Sequence, residues 1–180
     1  MKRPRGARPA PGVEILVESA RWKTRGGVRP LLRRAIAEAA TALSTMALST
    51  KALSTRPLEL AIVLTHDSAI RKLNRTWRGK DEPTNVLAFP APRPASPQGS
   101  LGDIVIAYET LAREAKAEGK PFSHHLAHLA VHGFLHLCGY DHETDRQAAA
   151  MERLEVAVLA RLRIPNPYIA GPYIAHDRGG

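Results

Sequence analysis

The chain has 180 residues, 44% hydrophobic and 24% charged, a balance that excludes a disordered chain and supplies one compact domain with enough apolar surface for a core. No run of about 18 apolar residues occurs, so no membrane-spanning helix is expected; the single cysteine, Cys138, excludes an internal disulfide framework and fits a reducing compartment. The formal charge of +9 is lopsided, with ten basic and two acidic residues among the first 34 and sixteen against fifteen in the rest, which points to nucleic acid or another anionic surface as partner, or else to a solubilising basic tail.

Residues 1–12, MKRPRGARPAPG, lack the apolar core of a signal peptide and are expected to form a disordered basic arm. VEILVE, 13–18, alternates apolar and acidic residues and reads as a half-buried strand. A basic, Gly-containing stretch follows, after which Pro30 sits in the first turn of a helix that continues through LLRRAIAEAATAL. ALST then occurs at 42–45, 47–50 and 52–55. A five-residue period matches no solenoid, so the repeat reads as an insertion that lengthens the helix or its loop.

LELAIVL, 58–64, is a second strand, and Asp67 or Ser68 can cap a short helix through Thr76. NVLAF, 85–89, is a third strand, PAPRPASPQGS a Pro-rich loop, and DIVIAY, 103–108, a fourth strand. Helices over about 109–118, 122–138 and 144–162 close the chain, followed by a Pro-rich tail from 165 to 180 that drapes over the surface or is disordered. The expected fold class is therefore α+β: a small mixed β-sheet of about four strands covered by helices, forming one domain over 13–164. A doubly wound fold is disfavoured because no Gly-rich phosphate loop follows a strand.

Six of the eight histidines lie between 124 and 142, and the central segment is HGFLHLCGYDH. His132 and His136 project from one helix face a turn apart. Gly139 permits a tight exit, and a turn there can bring His142 back toward both. Three neutral imidazoles converging on one point suit one Zn²⁺ with a fourth position open; the alternative is a helix face of surface imidazoles. His128 lies about 12 Å from His136 along the axis, too far to share an ion. His124 and His125, near the helix start, are expected to face solvent. Cys138 is expected to be a small buried side chain. Zinc peptidases with an HExxH motif carry Glu after the first histidine, where Gly133 stands here.

RKLNRTWRGKDEPTNVLAFP, 71–90, forms the other constellation. Arg71, Lys72, Arg75 and Arg78 fall mostly on one side of a helix, either as a solvated face with Leu73 and Trp77 turned to the core, or as a phosphate-contacting face. Arg78 at the helix exit is the candidate to reach a neighbouring site, since a guanidinium forks onto phosphate oxygens.

HGFLHLCGYDH, with LNRTWRGKDEPTNVLAFP and LGDIVIA upstream, resembles the YbeY endoribonucleases, the bacterial ribosomal RNA maturation factors, over about residues 58–160. The resemblance implies one zinc ion on His132, His136 and His142, with Arg78 as the functionally important arginine. It implies a cytoplasmic role with ribosomal RNA and the small ribosomal subunit, in 3′-end processing and ribosome quality control. The family's PTDVLSFP reads PTNVLAFP here, so any charge carried by that Asp is absent at Asn85. The reading is thus a zinc-dependent, single-strand-specific endoribonuclease in 16S rRNA 3′-end maturation. An activated water or the substrate's 2′-hydroxyl is the nucleophile. Asp141 and Glu143 flank His142, either to orient an imidazole or relay a proton, or as turn and cap residues. A zinc hydrolase of a small or peptide substrate and a non-catalytic assembly factor with structural zinc are the alternatives.

Overall fold

A computed structural model describes residues 10–45, 59–92 and 99–169. Residues 1–9, the second and third ALST copies and the end of the tail lie outside the described residues; the first copy closes the second helix. In chain order the elements are β1 (Gly12–Val17), α1 (Ala20–Lys23), α2 (Val28–Thr45), β2 (Glu59–Thr65), α3 (Asp67–Arg78), β3 (Val86–Pro90), β4 (Ser100–Ala107), α4 (Tyr108–Ala117), α5 (Phe122–Leu137) and α6 (Asp145–Arg161).

The four strands form one mixed sheet in the order β1-β2-β4-β3. β1, β2 and β4 run parallel, and β3 is antiparallel to β4 at the edge. Pro90 ends β3, an edge position where a residue without an N–H is tolerated. β4 lies inside the sheet and is covered on both faces, so Ile104, Val105, Ile106 and Ala107 are all buried. The period of two splits them between two cores. Ile104 and Ile106 join the large core with residues of α2, α5 and α6, while Val105 and Ala107 pack with Ile70 of α3 and Leu87.

α5 is apolar almost all round, as a helix at the centre of a core must be. It approaches the sheet closely: a Cβ added at Gly133 would stand 2.9 Å from Ile104 Cγ2. A branched, buried side chain cannot yield there cheaply, so Gly133 sets the depth at which α5 docks on β4.

Several local expectations change. α3 runs on to Arg78, and β4 begins at Ser100, pairing opposite Glu59 before the DIVIA run. Asp67 does not cap its own helix: its Oδ1 accepts from the backbone N–H and hydroxyl of Thr110, while Glu109 Oε2 accepts the Asp67 N–H. The two helix starts thus satisfy each other's open amides. The basic stretch after β1 holds α1, whose Trp22 is buried, donating Nε1–H to the Thr65 carbonyl at 2.8 Å and packing edge-on against Tyr108 and Phe122.

Candidate metal centre and its cleft

His132 and His136 stand one turn apart near the C-terminal end of α5. The helix then stops at Gly139, whose φ of 91° is accessible to glycine at little cost. The Gly139 and Tyr140 N–H groups donate to the His136 and Leu135 carbonyls at 2.9 and 3.0 Å, satisfying open acceptors of the last turn. This reversal returns the chain, and the ligand nitrogens of His132, His136 and His142 all lie within 4.8 Å of one another. His132 Nε2 and His136 Nε2 are 3.1 Å apart. Two nitrogens on one tetrahedral ion at about 2.0–2.1 Å each would be about 3.3 Å apart. The three histidines can therefore hold a metal ion.

Glu155 fixes which nitrogen faces that point. It lies at 0% exposure on α6, and its Oε1 accepts from His132 Nδ1 at 2.7 Å. That leaves His132 Nε2 as the free lone pair. Its other oxygen meets His128 Nε2 at 3.0 Å and the Tyr168 hydroxyl. Burial alone would raise the Glu155 pKa, but hydrogen bonds from His128, His132 and Tyr168, with the His128 charge, hold it down to about 2. A buried carboxylate is tolerable only with such partners. Burial lowers His136 below its ordinary value, and the neighbouring His132 and His142 push it the same way; a neutral imidazole is the form a metal needs.

The histidines line a cleft of about 670 Å³ whose opposite wall is Arg78, Thr84, Asn85 and the Val86, Ala88 and Pro90 side of β3. Arg78 is exposed at the end of α3. The loop after it is tied back: Asn74 Nδ2 donates to the Glu82 carbonyl at 2.9 Å, and Arg71 forks onto Asp81 at 2.9 Å through two nitrogens. Asn85 Nδ2 donates to Glu114 Oε2 at 2.8 Å, and His125 Nε2 meets the same oxygen at 2.8 Å. An amide at 85 thus supplies a donor where a carboxylate would repel Glu114. Burial acts to raise the Glu114 pKa, yet the bonds from His125 and Asn85 hold it below the usual range.

The structure brings His132, His136, His142 and Arg78 to one cleft, 54 to 64 residues apart in the chain. Asp141 and Glu143 line it too, but Asp141 Oδ1 accepts the His142 backbone N–H at 2.8 Å, and Thr144 with Gln147 caps α6. Cys138 is buried and stands apart from the three histidines. His128 meets Glu155 instead of the histidine cluster. One expectation fails, and so does part of one alternative. His125 is 6% exposed because Glu114 draws it inward. Trp77 is 69% exposed, because Ile70 and Asn74 take the buried side of α3. Glu155 and Glu114 were not singled out from the sequence. Glu155 left a signal: it occupies a buried position in the Met151, Leu154, Val158, Leu159 stripe of α6, where a charge has no place without partners.

The family model described as Endoribonuclease YbeY matches residues 29–163. The chain is similar to an Endoribonuclease YbeY of Nitrobacter hamburgensis, 52% identical over 164 residues, covering 88% of this chain and 82% of that one. A counterpart from Bradyrhizobium sp. is 47% identical over 166 residues, covering 89% and 94%. Among solved structures, the solution structure of TM1509 from Thermotoga maritima has a TM-score of 0.51 at 22% identity, covering 93% of this chain and 99% of that one, a likeness of fold. By the span of the family model and the identity to these relatives, the chain belongs to the Endoribonuclease YbeY family.

Proposed function

We propose that this protein is a zinc-dependent, single-strand-specific endoribonuclease acting in 16S rRNA 3′-end maturation and ribosome quality control in the cytoplasm. RNA and the small ribosomal subunit are its partners. The observation that carries the reading is the convergence of three imidazoles and one guanidinium on a single cleft in a member of this family. No helix among the described residues is long and apolar enough to cross a membrane. Residues 13–164 form the catalytic domain on this reading, and the basic residues of 1–12 add non-specific attraction for RNA.

His132, His136 and His142 are the ligands of one zinc, whose three-nitrogen donor set leaves a coordination position open. Bound there, the metal supplies Lewis acidity beside the scissile phosphodiester. Glu155 holds His132 in the tautomer that offers Nε2. Arg78 is the catalytic residue of the opposite wall: its fork binds the phosphate and stabilises the charge that grows on it. The carboxylates of Asp141 and Glu143 border the same space and can carry protons to or from it.

The alternatives meet specific obstacles. A peptidase of the HExxH kind needs Glu at 133, where even a Cβ collides with Ile104. A structural zinc normally has four protein ligands, and among the described residues no fourth side chain joins the three histidines. The test is cleavage of unstructured and structured RNA by zinc-loaded protein, with and without chelator. Chelator-sensitive cleavage confined to single strands is expected. Product ends separate the nucleophiles: a 2′,3′-cyclic phosphate reports the 2′-hydroxyl, and a linear monophosphate reports water. RNA left intact by zinc-loaded protein would refute the proposal.

A further inference from the structure

The two tryptophans have opposite fates. Trp22 is 3% exposed, with its indole N–H bonded, whereas Trp77 is 69% exposed on the last turn of α3. Leaving that much indole in water is costly unless something covers it. The ring is nonetheless held: it packs at 5.9 Å and 61° on Phe89, which is anchored against the smaller core of Ile70, Leu87 and Val105. It is therefore an oriented plate.

Its neighbours identify what fits on it. Trp77 precedes Arg78, which lines the histidine cleft. Phe89, which supports the indole, lies between Ala88 and Pro90, which line that cleft from the other face of β3. The indole and the cleft thus meet across one edge strand. The surrounding segment 71–82 carries five basic and two acidic residues. Asp81 engages Arg71 and Arg75, while Lys72, Arg78 and Lys80 form no ion pair among the described residues. An aromatic plate framed by cations is the chemistry that holds single-stranded nucleic acid: bases stack while phosphates meet the charges. A protein partner would match an apolar surround better than this one, where the exposed neighbours of Trp77 along α3 are Lys72, Arg75, Thr76 and Arg78.

We infer that Trp77 is a base-stacking platform that seats an unpaired RNA base flanking the cleaved bond, with the chain crossing β3 past Arg78 between platform and cleft. This rests on the ribonuclease reading and extends it: the cleft would then select single strands because a paired base cannot unstack onto the indole.

The test uses full-length, zinc-loaded protein and an unstructured oligoribonucleotide in single-turnover cleavage. Trp77→Ala should raise the half-saturating concentration about 5- to 150-fold, with the loss falling mainly on binding and not on the maximal rate, and Trp77→Phe should restore most of it. Zinc content and melting temperature should match the wild type in both variants. RNA lacking a base at successive positions should bind the wild type poorly at one position near the cleaved bond, and Trp77→Ala should be indifferent to that position. Half-saturation of Trp77→Ala within twofold of a wild type that cleaves normally would overturn the platform while leaving the ribonuclease reading intact. So would Trp77→Ala changing only the protein's own association state. A wild type that neither binds nor cleaves the RNA would sink both, and would be visible before any variant is compared.

Discussion

On the α5 side of β3, the groups facing the cleft are held from behind. His132 leans on Glu155, Glu155 on His128 and Tyr168, and Asn85 and His125 on Glu114. On the α3 side, Trp77, Arg78 and Lys72 stand in solvent, and the ion pairs of that helix, Arg71 and Arg75 with Asp81, are exposed. The first region backs its metal-facing side chains with buried hydrogen-bond partners, which orient a ligand toward an ion. The second offers charge and an aromatic face to a polymer whose position varies. Exposed cations act through a screened field, so the α3 side should be the salt-sensitive half and the α5 side the pH-sensitive half.

Removing Arg78 tests the boundary between the two regions. Arg78→Ala should lower single-turnover cleavage about 10²- to 10³-fold, more than it weakens RNA binding, with zinc content and melting temperature unchanged. Arg78→Lys should recover part of the rate, because an ammonium keeps the charge without the fork. Unchanged cleavage in Arg78→Ala would confine the chemistry to the histidine side.

That boundary was only partly legible in the sequence. The strands follow from the alternation in VEILVE and the short apolar run LELAIVL, and the histidine group from a spacing of four and then six residues around Gly139, because each depends on local sequence. Which face of α3 is buried does not: Trp77 reads as a core residue until the sheet selects Ile70 and Asn74. Glu155 lies 23 residues beyond His132, and only the docking of α6 on α5 makes it a partner. The Asp67–Thr110 pair likewise needs two helices side by side; from the sequence Asp67 reads only as a cap of its own helix.

Glu155→Gln probes the support behind the metal. The amide keeps the volume but not the charge that orients His132, so zinc affinity measured by competition with a chelator should fall about 10- to 100-fold. An equal affinity would mean that the histidines position themselves. Next in size, Gly133→Ala should destabilise the fold by about 1–3 kcal/mol through its contact with Ile104, seen as a lower melting temperature. It should leave RNA binding on the α3 side intact.

A separate test is the pH response of the metal-free protein. His136 is held below its ordinary 6.5 by burial, so the folded state binds this proton less readily than the unfolded chain. Its contribution to stability is present above pH 6.5 and is lost as pH falls toward the lowered value. Glu155, held at about 2 against an ordinary 4.5, contributes stability above pH 4.5 that disappears as pH falls toward 2. Melting temperatures should therefore decline in two stages on acidification, and His136→Asn should flatten the first. A melting temperature that rises between pH 6.5 and 5.5 would reverse the sign derived from burial.

The central claim, that three histidines hold the zinc on which RNA cleavage depends, is tested most directly by measuring zinc content and single-turnover cleavage of unstructured RNA on the same samples. Wild type and the triple variant His132→Ala, His136→Ala, His142→Ala would be compared, each before and after chelator. The account predicts about one zinc per wild-type chain, cleavage that disappears with chelator and returns with added zinc, and neither zinc nor cleavage in the triple variant. Full zinc occupancy in the triple variant, or wild-type cleavage that persists after the zinc is gone, would contradict it.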